Sequence, residues 1–184
     1  MTKDESLYPF SDISEQIRKR RYNLATKRGY KLLLKNILIT VVLVILVFRF
    51  VFSVDIAKGS DMYPAVLDGD VVIGYRLDKD YLKDDVVVCE VNKKQMIGRV
   101  VAKEGDTVNI TEQGVLFVNG TEQTGEIAFP TNPGNQEYPY VVPKGYVYIL
   151  GDYRTKAIDS RTFGPVKKAN VKSKVTFIFR KRGI

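Results

Sequence analysis

Lys58, Gly59, Ser60 and Asp61 place an amine, a hydroxyl and a carboxylate within four residues. A hydroxyl paired with an amine is one of few devices by which this composition could open an amide bond. Histidine is absent from all 184 residues and Cys89 is the single cysteine. Ser-His-Asp and Cys-His catalysis are therefore excluded within the chain, as are an intramolecular disulfide and the usual Cys/His zinc sites. No metal or cofactor is called for. Any serine hydrolase here must use a lysine as its base. Lys58 and Ser60 would share one face if their segment is extended, although nothing in the sequence desolvates that lysine. Asp159 and Arg161 are spaced to lie on one side of a strand or turn, where an arginine fork can hold both oxygens of a carboxylate. As an exposed ion pair they would contribute only ~0–1 kcal/mol.

These groups need a scaffold, and the sequence describes one in two parts. Residues 1–35 hold nine basic and four acidic side chains, whereas residues 55–184 hold nineteen and seventeen, so the net charge of +8 belongs mainly to the N-terminal stretch. Ile37 to Phe48 is apolar except for Thr40, and past Arg49 the run continues to Val54, 18 residues in all. A hydrocarbon core of roughly 30 Å needs about 20 helical residues, so the length suits one span better than a buried core helix. Arg49 sits near the outer interface, within snorkelling reach of headgroups. The run is longer than a secretory signal's apolar region and no small-x-small site follows it, so the segment should remain as an anchor. Arg18 to Arg21, Lys27, Arg28, Lys31 and Lys35 precede it, which predicts a cytoplasmic N-terminus and an external C-terminal portion. Anionic headgroups are their expected partner, in preference to nucleic acid. The expected organisation is a basic cytoplasmic tail at 1–31, a transmembrane helix at 32–54 and an extracytoplasmic domain at 55–184.

That domain reads as mainly β. Val71–Tyr75, Val86–Val91, Met96–Ala102, Val115–Val118, Tyr146–Leu150 and Val175–Phe179 are rich in β-branched and aromatic residues. Asn119-Gly120 signals a hairpin, because both residues tolerate positive φ. Thr121–Pro143, broken by Pro130, Pro133, Gly134, Pro139 and Pro143, is expected to carry a loop or short hairpin.

Four motifs in order behind the apolar run resemble those of bacterial type I signal peptidases. Gly59-Ser60-Asp61-Met62-Tyr63-Pro64 and the Leu67–Val72 segment resemble the catalytic-serine segment and the Gly-Asp run into the next strand. Lys83-Asp84-Asp85-Val86-Val87-Val88 is similar to Arg-Gly-Asp-Ile-Val-Val, with Asp84 in place of glycine. Gly98-Arg99-Val100-Val101-Ala102 through Asp106 resembles Lys-Arg-Val-Ile-Gly-x-Pro-Gly-Asp. Gly151-Asp152-Tyr153-Arg154 through Gly164 is similar to Gly-Asp-Asn-Arg-x-x-Ser-x-Asp-Ser-Arg-x-x-Gly. The resemblance implies a signal-peptidase-like antiparallel sheet or partial barrel behind one N-terminal transmembrane helix.

The resemblance also implies which positions have changed. The nucleophilic serine is replaced by Asp61, the general-base lysine by Gly98 and the serine that assists the lysine by Ala157. A carboxylate is a poor amide nucleophile, and glycine cannot titrate. Lys103 is no substitute for a base at 98, because five extended residues span ~17 Å at about 3.4 Å each. Carried over from the family, Asp152, Asp159, Ser160 and Arg161 brace the floor. Ser60, Asp61, Met62, Tyr63, Pro64, Gly98 and Arg99 line a peptide-binding cleft, and Tyr63, Tyr153 and Phe163 could furnish an aromatic wall. The resemblance is closest to degenerate SipA-like members, which implies a non-catalytic protein assisting assembly of pilins or other secreted proteins, with a sortase as a further partner. The alternative is an active signal peptidase that uses Ser60 with a nearby lysine.

Overall fold

The structure, a computed structural model, describes residues 10–123, 127 and 130–180. The chain divides into two units, 1–48 and 49–184. Helix α1, Phe10–Val51, runs for 42 residues. It starts well before Leu32, so much of the basic stretch is helical too, and Glu15 and Lys19 form an i,i+4 pair at 2.9 Å. From Ile37 to Phe48 its large apolar side chains stand about half exposed or more on every side. A helix apolar all round needs an apolar surrounding, and this one is long and apolar enough to cross a membrane.

The apolar run does not stay helical to Val54. Phe52–Ile56 forms strand β1, in which Phe52, Ser53 and Val54 face Tyr75, Gly74 and Ile73 across an antiparallel ladder. Apolar content is the same on both sides of that boundary, and strand pairing decides where the helix stops. Then follow β2 Val71–Tyr75, β3 Val86–Val91, β4 Lys94–Lys103, β5 Thr107–Ile110, β6 Leu116–Val118, β7 Thr121–Glu122, β8 Tyr140–Val141 and β9 Tyr146–Leu150. A four-residue helix α2, Ser160–Phe163, precedes β10 Val166–Lys167 and β11 Val171–Phe179. The larger sheet has the order β1-β2-β11-β3-β4-β9-β10 and the smaller β7-β6-β5-β8, with every pairing antiparallel. Val101, Ala102, Tyr148 and Leu150 of the larger sheet pack against Val108, Ile110, Leu116 and Val118 of the smaller. Val87, Cys89, Val100, Val147 and Ile149 form a second core with Tyr81 and Val166. Burial on both sides of β4 and β9 explains why their sequences read as apolar runs with little alternation.

Three turns show what local chemistry the folding uses. Asn119 and Gly120 join β6 to β7 at φ 53° and 76°, as a two-residue loop between right-twisted strands requires. Asn92 and Lys93 do the same between β3 and β4 without a glycine. Asp84 is held at φ 72°, with its N–H bonded to Val100 O and its own carbonyl accepting Arg99 Nη1–H at 3.0 Å. Glycine adopts this conformation freely, so Asp84→Gly should stabilise the domain by about 0.5–1 kcal/mol, checked by denaturant unfolding. An unchanged or lowered midpoint would contradict it. Within 121–143, residues 124–126 and 128–129 lie outside the described residues; the remainder holds β7, β8 and the turns near Gly134.

Candidate functional site

The Lys58–Asp61 segment is not extended. Gly59, at φ 82°, opens bends and turns that continue to Val66, tied by Gly59 N–H to Asp68 Oδ1, Tyr63 N–H to Ser60 O and Val66 N–H to Met62 O. The face-sharing expected of Lys58 and Ser60 on a strand therefore does not apply. Both are exposed, whereas a lysine base needs a water-poor setting.

Asp61 points elsewhere. Tyr153 N–H donates to its carbonyl at 2.9 Å, and the Ile158 N–H donates to its carboxylate. Burial pushes the Asp61 carboxyl above its ordinary range, the Ile158 hydrogen bond opposes this, and the charge of Asp159 adds to it. The folded chain thus holds the Asp61 proton more firmly than the unfolded one. The native state carries no ionisation penalty below the ordinary carboxylate range and acquires one as pH rises through the raised value. Asp61→Asn should therefore match wild type in thermal midpoint at acid pH and exceed it at neutral pH. A constant difference across that range would refute this.

Asp61 and Ala157 meet at the backbone of Gly151, just past β9. A Cβ on Gly151 would overlap Ala157 Cβ and the carbonyl of Asp61. One residue back, Leu150 O lies 3.4 Å from where a Cβ on Gly98 would stand. That same Cβ would overlap Ile149 Cγ2, and Ile149 is 0% exposed. Asp61, Gly98 and Ala157 thus converge on residues 149–151, and an Ile149 methyl occupies the path a side chain at 98 would take.

A buried polar frame holds this point from beneath. Asp159 caps α2 and is forked by Arg161, Nε to Oδ1 and Nη2 to Oδ2 both at 2.8 Å. Asp159 Oδ2 also accepts Gly151 N–H at 3.0 Å, and Ser160 Oγ accepts Ile149 N–H at 3.0 Å. With Asp159 1% and Arg161 4% exposed, this is an interior pair unlike an exposed ion pair. Arg161 Nη1 donates to Asn132 O, and Gly134 packs its backbone against Arg161, so the excursion before β8 docks on α2. Arg99 forks Asp152 at 2.8 and 2.6 Å. Arg154 donates to Gly151 O and Thr131 Oγ1, and burial lowers its guanidinium pKa to about 10.

Beside Asp61 lies a cleft of about 40 Å³ lined by Ala57, Lys58, Gly59, Asp61, Met62, Val66, Gln95, Met96 and Ile97. Of the residues expected to line it, only Asp61 and Met62 do so. Ser60, Tyr63 and Pro64 lie outside on exposed turns, and Gly98 and Arg99 face inward to Ile149 and Asp152. The cleft shares Lys58, Gln95, Met96 and Ile97 with a groove of about 660 Å³ between β1, at Val54, Asp55 and Ile56, and the β3–β4 turn. Sequence pattern could not find Gln95–Ile97, because sheet curvature brings them opposite β1. Tyr63 and Tyr153 do pair, ring centroids 5.6 Å apart, but Phe163 packs on the core with Val100, Val147 and Val166. The groove presents one edge of β1, which pairs only with β2, and no hydroxyl-amine couple among its described residues.

Known proteins are similar to this chain in sequence. The chain is 30% identical over 166 residues to signal peptidase IB of Staphylococcus aureus, covering 78% of this chain and 86% of that protein. It is 27% identical over 161 residues to signal peptidase I of Bacillus licheniformis, at 79% and 86% coverage. It is also 33% identical over 136 residues to the chloroplastic thylakoidal processing peptidase 1 of Arabidopsis thaliana, of which it spans 39%. A solved signal peptidase I from Enterococcus faecalis V583 is similar at 24% identity and a TM-score of 0.46, covering 53% of this chain and 97% of that one. The profile of the family described as signal peptidase, peptidase S26, runs from residue 31 to residue 180, through the second half of α1 and the whole β framework, and the chain belongs to that family.

Proposed function

We propose that the protein is a membrane-anchored, catalytically silent signal peptidase homologue. It holds an extended segment of an exported polypeptide without cutting it and so assists assembly of surface proteins, with pilins joined by a sortase the leading class. The single observation that supports this reading is the convergence at residues 149–151 of the positions that the resemblance gives to nucleophile, helper and base: the Asp61 carbonyl and the Ala157 methyl lie against Gly151, and Ile149 lies against Gly98. A methyl and a glycine cannot titrate, and a carboxylate in the nucleophile's position supplies no hydroxyl to attack the amide. The groove beside β1 keeps what strand addition needs, an edge with free backbone groups flanked by side-chain pockets. On this reading α1 is a single span, its basic flank lies against anionic lipid in the cytoplasm, and the β domain is external.

The test is incubation of the purified full chain with a secretory precursor, alone and as Ser60→Ala. The expected result is no cleavage by either form, while the precursor or a pilin is retained on the protein in membranes. Cleavage that Ser60→Ala abolishes would overturn the reading. Recovery of an active signal peptidase as the dominant partner, without a pilin, would replace assembly with competition for substrates.

A further inference from the structure

The groove beside β1 is cationic along one stretch. Lys58, Lys93 and Lys94 all line it and all are exposed, and no ion pair holds them among the described residues. Nearby β11 shows the contrast: Lys172 pairs with Glu90 at 2.9 Å and Lys174 with Asp85 at 2.8 Å. The groove's one carboxylate is Asp55. Its Oδ1 accepts Gln95 Nε2–H at 2.9 Å, while Oδ2 is buried with no donor. A buried acceptor left without a partner is costly. At the other end the groove meets the small cleft, where Lys58 stands with Asp61. The small cleft is bounded by Asp61, with Asp159 behind it, and its roughly 40 Å³ leaves little space.

Resting on the reading above, we propose that the groove selects its polypeptide by charge order. The occupant carries acidic side chains where it crosses Lys58, Lys93 and Lys94, and none where it reaches Asp61. Opposite charges across a partly exposed groove steer and register a partner, whereas like charges exclude one. An acidic residue over Asp61 would meet its carboxylate, whereas Asp159 is buried in the Arg161 fork. A peptide with its acids in the wrong half would then lose the attraction and gain repulsion.

The experiment uses the full chain in neutral detergent and fluorescent twelve-residue peptides of small residues, with four Asp, four Asn or four Lys confined to one half. Both halves are tried, and binding is read by polarisation at low and moderate salt. One Asp peptide should bind about tenfold more tightly than its Asn counterpart and its half-reversed isomer, with the gap narrowing as salt screens it. Combined Lys58→Gln, Lys93→Asn and Lys94→Gln should close the gap; combined Lys83→Gln, Lys103→Gln and Lys144→Gln, all exposed elsewhere on the domain, should leave it open. Equal binding of Asp and Asn peptides, or a gap closed by the second set as well, overturns charge selection while leaving peptide holding intact. Failure of every peptide to bind overturns both.

Discussion

Arg161→Ala should destabilise the β domain by about 3–5 kcal/mol, the largest single-residue effect expected here. The physical cause is the carboxylate left behind. Asp159 is 1% exposed and presents both oxygens to the Arg161 fork, so removal of the guanidinium strands a charge that water cannot reach. The same carboxylate accepts the Gly151 and Arg161 N–H groups, which tie α2 to the end of β9, so disorder there would spread to Asp61 through Gly151. Arg161→Lys should recover only part of the loss, because an ammonium cannot reproduce two parallel bonds in one plane. Asp159→Leu with Arg161→Met should cost less than Arg161→Ala, since no buried charge is then unpaired. Denaturant unfolding of the full chain in detergent measures all three. A loss below about 1 kcal/mol for Arg161→Ala would mean that the pair behaves like an exposed one and that the frame has another origin.

Where sequence and structure agree, a local cause is at work. The strands at Val71–Tyr75, Val86–Val91 and Tyr146–Leu150 have the limits that their β-branched and aromatic runs predict, because glycine, aspartate, asparagine or proline stands close to each end. The Asn119-Gly120 turn is legible because few residue pairs accept two positive φ values. Where they part, the cause is tertiary. Lys94 and Gln95 extend β4 beyond its apolar run because Val91 and Glu90 offer them ladder partners. Thr107–Ile110 is too short to stand out, and it becomes a strand between β6 and β8. The four-residue α2 follows from Asp159 capping, where spacing alone suggests only a strand or turn.

The site divides the same way. That Asp61, Gly98 and Ala157 belong together is legible through motif resemblance, since each falls at a defined place in an ordered series. What surrounds them is not. Ile149 lies 51 residues from Gly98 along the chain and meets it only because β4 pairs with β9, while Gln95–Ile97 reach the cleft only through sheet curvature. Positions that a motif singles out are visible in sequence; the residues packed against them are visible only in three dimensions.

That distinction fixes the outcome of restoring the chemistry. Asp61→Ser with Gly98→Lys should yield no cleavage of a secretory precursor, and the Gly98→Lys step alone should cost about 1–3 kcal/mol through overpacking. The Cβ at 98 would overlap a methyl on the Cβ of a fully buried, β-branched strand residue, whose rotamer freedom is small. Ile149→Ala removes that methyl, and on its own should cost about 2–5 kcal/mol for the cavity it leaves. Combined with Gly98→Lys, the loss should be smaller than the sum of the two by about 1 kcal/mol or more, because the new stem fills the space that the old side chain leaves. Unfolding midpoints of the four proteins in this cycle measure the coupling directly. Strict additivity would show that Ile149 does not block position 98, and robust cleavage by Asp61→Ser with Gly98→Lys would show that the cleft still accommodates a reacting lysine.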